Sequence, residues 1–412
     1  MLSGQQWRIL ILLYISSFLN YVDRSTLSVG AIDIQRELGF NSYQLGLLLS
    51  AFFFTYATCQ LFMIAGWFVD RFEVRLVFAI GFALWSGATA VTGMARGFMV
   101  IYSLRLLLGV GESISFPSYS RILATQYPEH HRGFANAVVD AGTKSGPALG
   151  TLIGGLLMAQ VGWRAFFVGL GALSLLWLVP WFRWMPAAKP AVRREERADL
   201  VGIGEILTKR SAWFSAFALF CSNYFWYFLL TWLPAYLERE RGFPKSKMAV
   251  FGSLCYLAIA LSTMVCGHFS DRLIARGQSA TRIRKTFTGV GLSLSTVIIL
   301  VAVVRDEGAA MAILLASCVF YGIFAPNLFA MTQTMAGPRA AGKWTGFQNG
   351  FGNLAGVAAP WVTGLVVQMT GQFYWAFVVA AAMALSAAGL YVFGVGPIRQ
   401  VEFREAARVT VL

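Results

Sequence analysis

Two acids and two arginines stand where the chain is otherwise apolar: Asp23 and Arg24, then Arg105 and Glu112. Their surroundings read as membrane-spanning helix, and a charge at membrane depth is costly enough to mark a function. Buried carboxylates can carry protons, and buried guanidinium groups can hold an anion. Arg105 and Glu112 are seven residues apart, two turns along one helix face. Only Leu106, Leu107, Leu108, Gly109, Val110 and Gly111 lie between them. Apolar neighbours disfavour a bare carboxylate, whereas a nearby arginine favours it. An acid set between the two changes protonation when its arginine gains or loses a partner. A substrate anion on the arginine would release the acid to take a proton. The alternative is a fixed ion pair that holds this helix to its neighbours. Asp23 and Arg24 are adjacent, so they point about 100° apart and answer to different partners.

The elements that position these residues are long apolar helices. Of the 412 residues, 57% are hydrophobic and only 13% charged, and the mean hydropathy is +0.63. That composition excludes a soluble globular protein of this size. The apolar blocks are about 20 residues long, enough to cross roughly 30 Å of hydrocarbon. Twelve are expected, over 7–29, 44–67, 77–94, 98–125, 132–160, 163–185, 211–237, 247–269, 285–304, 309–335, 343–369 and 372–395. The fold class is therefore an all-α membrane protein of twelve transmembrane helices. The first block carries Asp23–Arg24 and lacks a small-residue cleavage site, so it reads as a retained helix.

A net charge of +14 raises the question of nucleic acid, and its distribution answers it. Arg71, Arg75, Arg132, Lys189, Arg193, Arg194, Arg197, Lys209, Arg210, Arg272, Arg276, Arg282, Arg284, Lys285, Arg339, Arg399, Arg404 and Arg408 fall in alternate loops. Fewer fall on the other side: Arg36, Arg96, Arg164, Arg239, Arg241, Lys245, Lys247 and Arg305. This is the positive-inside bias, and it places both termini in the cytoplasm. The expected surroundings are a lipid bilayer, with no nucleic-acid partner. Cys59, Cys221, Cys255, Cys266 and Cys318 form no CxxC pair and read as small buried thiols. His130 and His131 lie in a loop without ligand spacing, so no metal or other cofactor is expected beyond protons as coupling ions.

One polar loop, Ala187 to Arg210, divides the chain into 1–186, a linker over 187–210, and 211–412. The halves echo each other. The second span ends in GWFVDR, with Asp70 and Arg71; the eighth ends in GHFSDR, with Asp271 and Arg272. A matching motif at the matching place implies two pseudo-symmetric six-helix bundles. Glycine permits close helix approach, and the Asp–Arg pair can hold or release a rim of charge at a helix end. The motif is either a gate on the cytoplasmic side or a static loop anchor.

GWFVDRFEVR resembles the signature of the Major Facilitator Superfamily between its second and third helices, and GHFSDR its degenerate second copy. NYVDRSTLSVGAIDIQRELGF, SAFFFTYATCQ, LRLLLGVGESISFPSYSRILATQYPEHHRG and GFQNGFGN resemble the anion:cation symporter branch. That branch includes bacterial sugar-acid and aromatic-acid importers and is related to vesicular glutamate and sialic acid transporters. The resemblance implies proton sites at Asp23 and Glu112, with Arg24 on the substrate path and Arg105 coupling the acids to substrate. It implies a bacterial inner-membrane location and favours a monomer. Glu73 departs from the pattern, which has glycine there, and adds an acid to the cytoplasmic cluster. Thr143 stands where sugar-acid relatives carry glutamine. Beside it, Lys144 either binds a second carboxylate or neutralises Asp140, four residues earlier.

The second half offers neutral polar groups within its spans: Asn223, Asn327, Gln333, Gln348, Asn349 and Asn353. Asn349 and Asn353 share a face and, with Tyr56, can hydrogen-bond a carboxylate or hydroxyls. Helix–helix bonding is the alternative use. Asn349 and Gln348 join the candidate substrate residues through GFQNGFGN. Tyr224, Trp226, Tyr227 and Phe329 are candidate walls. The expected function is import of an organic carboxylate with protons by alternating access. A proton-coupled drug exporter would want an acidic, more apolar cavity, which Arg24, Arg105 and Lys144 oppose. A transporter-like sensor would carry a soluble signalling domain. No nucleotide loop, metal cluster or nucleophile–base set suggests an enzyme.

Overall fold

The structure, a computed structural model, describes residues 2–62, 64–127, 129–187 and 201–403. The side chains of Asp70, Arg132, Phe329 and Arg339 lie outside the described set, as do residues 188–200 of the linker and Arg404 and Arg408. The described chain is helical, without strands. Its helices are α1 (Gly4–Val29), α2 (Ala31–Leu38), α3 (Ser42–Leu61), α4 (Ile64–Arg71), α5 (Val74–Thr92), α6 (Phe98–Ser113), α7 (Ser115–Gln126), α8 (Glu129–Leu176) and α9 (Leu178–Trp184). There follow α10 (Ile203–Leu207), α11 (Arg210–Arg239), α12 (Lys245–Ala275), α13 (Ala280–Ser295), α14 (Glu307–Phe324), α15 (Asn327–Asn353), α16 (Ala355–Thr370) and α17 (Tyr374–Gly389).

Helix starts follow local chemistry. Ser3 and Gln6 form a reciprocal capping box at α1, with bonds of 3.2 and 2.9 Å. Asn41 and Gln44 do the same at α3. Each box satisfies backbone donors that a helix start leaves open. Two long helices are broken by glycines in left-handed geometry. At 48 residues, α8 would run roughly 70 Å, more than twice a hydrocarbon core. Gly162, at φ 79° and ψ 162°, divides it into two limbs. The limbs pack as a hairpin, since a Cβ on Gly154 would meet the Phe166 ring at 3.4 Å. Gly337, at φ 63°, breaks α15 in the same way.

Among the described residues, ten helical stretches are long and apolar enough to cross a membrane. One of them, Val138–Trp184, contains the fold at Gly162 and so supplies two crossings. α1 falls outside the ten because Asn20, Asp23, Arg24 and its serines dilute its apolar character. Exposed apolar side chains such as Ile80, Leu173, Met264 and Phe393 cover the outer surface. In water they would be a liability; against lipid they match the solvent.

Close packing within the first half rests on small residues. A Cβ on Gly142 or Gly146 would come within 2.9 Å of α1 atoms at Tyr14, Phe18 or Tyr21. One on Gly150 would meet Ser25 Oγ at 2.8 Å. This four-residue ladder lets α8 lie flat on α1. An aromatic stack ties α5 to the sixth crossing: Phe82 and Trp177 rings are 4.3 Å apart, and Trp181 Nε1 donates to Arg75 O at 3.0 Å. On α2, Glu37 accepts from Arg164 Nε at 2.7 Å and Trp163 Nε1 at 2.6 Å. These bonds, Arg164 first, hold its carboxyl below its usual range. The stability they add is present above the ordinary carboxylate pKa and is lost as pH falls through the lowered value.

The two halves pack along α3 as far as Leu61, which a Cβ on Gly350 would meet at 3.0 Å, but their polar ties lie at the face opposite the GWFVDR and GHFSDR motifs. Between described residues, the hydrogen bonds and ion pairs joining α1–α9 to α11–α17 lie there. Lys245 pairs with Asp33, Arg239 donates to Ser42 Oγ at 2.8 Å, and Ser28 Oγ donates to Leu230 O at 2.8 Å. Gly46 on α3 and Gly364 on α16 touch backbone to backbone, where a Cβ on either would meet a carbonyl oxygen at 2.7 Å.

Gly109 on α6 is the tightest glycine near the charged residues. A Cβ there would meet Thr55 Oγ1 at 2.2 Å and Phe52 O at 2.3 Å. Gly109→Val is expected to cost about 1–3 kcal/mol by overpacking and to lower the melting temperature in detergent. Gly87→Ala, with nothing within 4 Å of the new methyl, should leave it unchanged or slightly raised. Equal melting of both variants would remove the packing role assigned to Gly109.

Candidate functional site

The run Arg105–Glu112 is positioned by its own glycines. Gly109 admits α3, and Thr55 Oγ1 bonds Leu106 O at 2.7 Å across that contact. Gly111 admits α5, reciprocally with Gly81 at 2.9 Å. Glu112 thus lies between α3 and α5, facing α1. Its Oε2 accepts from Arg24 Nε at 2.9 Å. Glu112 is 0% exposed and Arg24 4%.

The pair forms across helices and does not involve Arg105. Seven residues separate Arg105 and Glu112 by about 10.5 Å of rise, beyond direct pairing. Arg105 nonetheless lies within electrostatic reach of Glu112, Asp23 and Arg24. Asp23 turns the other way from Arg24, as adjacent helical residues must. Its Oδ1 accepts from Thr89 Oγ1 on α5 at 3.1 Å. All four charged residues are buried.

Aromatic faces surround the arginines. The Arg24 guanidinium sits 4.5 Å from the Tyr21 ring, 4.6 Å from Tyr56 and 5.0 Å from Phe52. Arg105 sits 5.3 Å from the same Phe52. Such faces stabilise a desolvated cation without neutralising it, which leaves the charge available to an anion.

Satisfaction of this cluster is incomplete. Arg24 Nη2, Arg105 Nε, Glu112 Oε1 and Asp23 Oδ2 are buried without a hydrogen-bond partner among the described residues. Buried polar atoms in native proteins are nearly always paired. A convergent set of unpaired donors and acceptors is a place that a polar guest completes.

The second half approaches through Tyr227. This residue is within electrostatic reach of Arg24, packs on Phe53 at 4.4 Å and donates its hydroxyl to Asn353 Oδ1. Asn353 Nδ2 in turn donates to Asn349 O at 2.8 Å. The Asn349 side chain is half-buried and makes no hydrogen bond to a described residue. Gln348 is fully buried and engaged at both ends of its amide: Thr332 donates to it, and it donates to Ser215 O at 3.2 Å.

On α8, Thr143 Oγ1 bonds its own helix at Asp140 O, 2.7 Å away. Asp140 is exposed and Lys144 half-buried, and they form no ion pair. Arg71, Asp271 and Arg272 are exposed at the motif face; the Asp70 side chain lies outside the described residues. Glu73 adopts φ −64°, a conformation that needs no glycine. The structure therefore gathers Asp23, Arg24, Tyr56, Arg105 and Glu112 into one cluster and leaves Gln348 in a separate bonded network. Tyr21, Phe52 and Thr89 join the cluster without having been singled out from sequence. Tyr21 and Phe52 share helix faces with Arg24 and Tyr56 at three- and four-residue spacing, a usable signal. Nothing in the local sequence marks Thr89. Among the described residues, no group of His, Cys, Asp and Glu is arranged to hold a metal.

Comparison with known proteins gives a consistent picture. The sequence profile of the Major Facilitator Superfamily matches residues 13–360. The probable galactarate/D-glucarate transporter of Bacillus subtilis (strain 168) is 29% identical, over 97% of this chain and 94% of that protein. The probable sulfoacetate transporter of Cupriavidus necator is 31% identical, over 89% and 88%. The D-galactonate transporter of an Escherichia coli O6:H1 strain is 29% identical, over 95% and 96%. The crystal structure of a bacterial homolog of the human lysosomal transporter Spinster, inward-facing and unoccupied, superposes with a TM-score of 0.78 over 96% of each chain, at 19% identity.

Breaking the central pair leaves a buried charge uncompensated. Glu112→Ala is expected to destabilise the protein by about 3–5 kcal/mol. The double replacement Arg24→Met/Glu112→Leu should recover much of that loss, because an apolar pair carries no desolvation cost. Chemical or thermal denaturation of the two variants checks this. A double variant no more stable than Glu112→Ala would show that the pair is not the source of the effect.

Proposed function

The chain belongs to the Major Facilitator Superfamily, and on that premise we propose that it imports an organic carboxylate together with protons. One observation supports the reading: Arg24 Nη2, Arg105 Nε, Glu112 Oε1 and Asp23 Oδ2 are all buried without a hydrogen-bond partner among the described residues. Donors that can take a carboxylate and acids that can take protons thus belong to one buried cluster. The names of the relatives favour a sugar acid or another small organic anion.

Coupling follows from charge balance. Two arginines and two ionised acids sum to zero. An isolated charge in a low-dielectric interior is expensive, so an incoming anion favours protonation of an acid and a proton favours entry of an anion. The exchange centres on Arg24. A carboxylate that draws its guanidinium away leaves Glu112 without a partner, and Glu112 then gains a proton. Asp23, held by Thr89 on its other oxygen, is the second proton site. The number of protons per substrate follows from how many acids load.

Alternating access uses the two halves as rigid parts, 1–186 and 211–412, joined by the 187–210 linker. The ties at Asp33–Lys245, Ser42–Arg239 and Gly46–Gly364 close one face. The charge bias makes the opposite, motif-bearing face cytoplasmic. In this reading the present conformation is closed to the outside, and Asp70, Arg71, Asp271 and Arg272 engage when the cytoplasmic face shuts.

Arg105→Ala should abolish anion binding while leaving a folded, membrane-inserted protein; normal uptake by that variant would remove Arg105 from the site. Glu112→Gln should block proton-driven accumulation yet spare exchange of substrate across the membrane. Retained uphill uptake would move coupling to Asp23 or elsewhere. Thermal-shift screening of the purified protein against carboxylates, at about pH 5.5 and 7.5, reads both ligand and linkage. Stabilisation by a carboxylate that changes with pH is the expected result. Stabilisation by lipophilic cations alone would favour an exporter instead.

A further inference from the structure

A second set of unpaired polar atoms lies within the first half, where α5 packs on the sixth crossing. Other buried serines close onto their own helix. Ser16, Ser25, Ser215 and Ser222 each donate to a carbonyl three residues earlier, at 2.9–3.0 Å, a common use of a hydroxyl within a helix. Ser86 on α5 and Ser174 on the second limb of α8 do not. They are 0% and 2% exposed, and neither Oγ has a hydrogen-bond partner among the described residues. The indole N–H of Trp177, three residues beyond Ser174, is buried and unpaired in the same sense.

Contacts between the two helices set these groups level. Phe78 packs on Trp181 with ring centroids 4.8 Å apart, and Phe82 on Trp177 at 4.3 Å. Four residues up α5 therefore match four residues back along the crossing. The next such step puts Ser86 opposite Leu173 and Ser174. Leu173 is 67% exposed and turns outward, which leaves Ser174 on the side toward α5. Three residues further back the helices touch, since a Cβ on Gly171 would meet Ser86 O and Ala90 N at 2.4 Å. The rings hold the helices apart on one side of the serines, and the glycine brings them together on the other. Two hydroxymethyl groups do not fill the width that a stacked Phe and Trp fill one turn away.

This space adjoins an acid of the coupling scheme. Thr89 lies three residues from Ser86 on the same face of α5 and donates to Asp23 Oδ1 at 3.1 Å. Asp23 Oδ2 has no partner among the described residues. Three residues of helix rise about 4.5 Å. That is too far for a direct bond, and one water covers it with two hydrogen bonds of about 2.8 Å.

We propose that a bound water occupies this space, held by Ser86, Ser174 and the Trp177 indole, and is the second hydrogen-bond partner of the Asp23 carboxyl. An ionised carboxylate only accepts, and a protonated one also donates. Water meets both, so Asp23 keeps its partner as it loads and unloads. Ser86 and Ser174 are then positioning residues, acting on proton coupling through Asp23 without touching substrate. The indole N–H is a donor only, which favours a dipolar guest over a cation. The coupling role rests on the function proposed above; the water site does not.

Radiolytic footprinting of the full-length protein in lipid nanodiscs tests this, because hydroxyl radicals form from bound water and mark the side chains beside it. Oxidation is read by mass spectrometry at Trp177, against Trp232 as a buried reference whose Nε1 donates to Pro360 O at 3.1 Å. Trp177 is expected to oxidise faster than Trp232. Replacing both serines, Ser86→Val with Ser174→Val, should bring Trp177 down to the rate of Trp232, while Ser86→Thr keeps the difference. Equal rates in the unaltered protein overturn the inference, and that comparison needs no variant to fold. So does a difference that survives the valine pair. A melting temperature that sodium raises in the unaltered protein and not in the valine pair assigns the space to a cation, and also overturns it. For the coupling role, uphill uptake and exchange of galactarate, D-galactonate and sulfoacetate are compared in liposomes. The valine pair should lose uphill uptake of the accumulated acid and keep its exchange. Retained uphill uptake by the valine pair overturns the coupling role. If Asp23→Asn retains it too, or if the unaltered protein accumulates none of the three acids, the function proposed above fails and the water site stands.

Discussion

The Arg24–Glu112 ion pair sits where four helices converge, and the packing around it leaves that pair both buried and incomplete. Burying two charges costs several kcal/mol each before their attraction is counted. The chain offsets part of that with one 2.9 Å bond and three aromatic faces around the guanidinium. It leaves Arg24 Nη2 and Glu112 Oε1 unpaired. A fully satisfied pair would be an inert staple. This one has a single 2.9 Å bond, with a donor and an acceptor left over. Gly109 and Gly111 matter because they set how near α3 and α5 come, and so how dry the pair is.

Labour is divided unequally between the halves. Charge belongs to the first, where α1 and α6 supply both acids and both arginines of the cluster. The second contributes a neutral chain of Tyr227, Asn353 and Asn349, which can adapt its hydrogen bonds without changing the local charge. A rigid-body motion of one half over the other then changes which neutral groups face the charges, and the charges keep their own geometry.

Much of this was legible because membrane chemistry is strict. A charge inside an apolar block stands out against its neighbours, so Asp23, Arg24, Arg105 and Glu112 could be selected from residue type and depth alone. The four-residue spacing of Gly142, Gly146 and Gly150 is visible in the sequence, but the helix they pack against is not. Partnership is what sequence spacing hides. The seven-residue interval from Arg105 to Glu112 shows a shared face but also a separation too large for a bond, and the acid's actual partner lies 88 positions away in the chain. Gln348 illustrates the same limit. An amide within a span reads equally well as a ligand or as a helix tie, and only packing against Ser215 and Thr332 distinguishes the two. The first helix carries a different lesson. The polar residues that mark it out also lower its apolar character, so the most informative span is the least conspicuous by hydropathy.

The Asp33–Lys245 tie differs from the central pair in one respect with a practical consequence. The Asp33 side chain is 35% exposed, whereas the Glu112 side chain is fully buried. Dissolved ions screen charges in contact with water over a length of about 8 Å at physiological ionic strength and do so far less within the protein. Ionic strength therefore acts on one of these contacts and spares the other. Raising salt loosens the electrostatic clasp between the halves while the core keeps its charges, so under the proposed alternating access the medium shifts how often that face opens without changing the charges of the core.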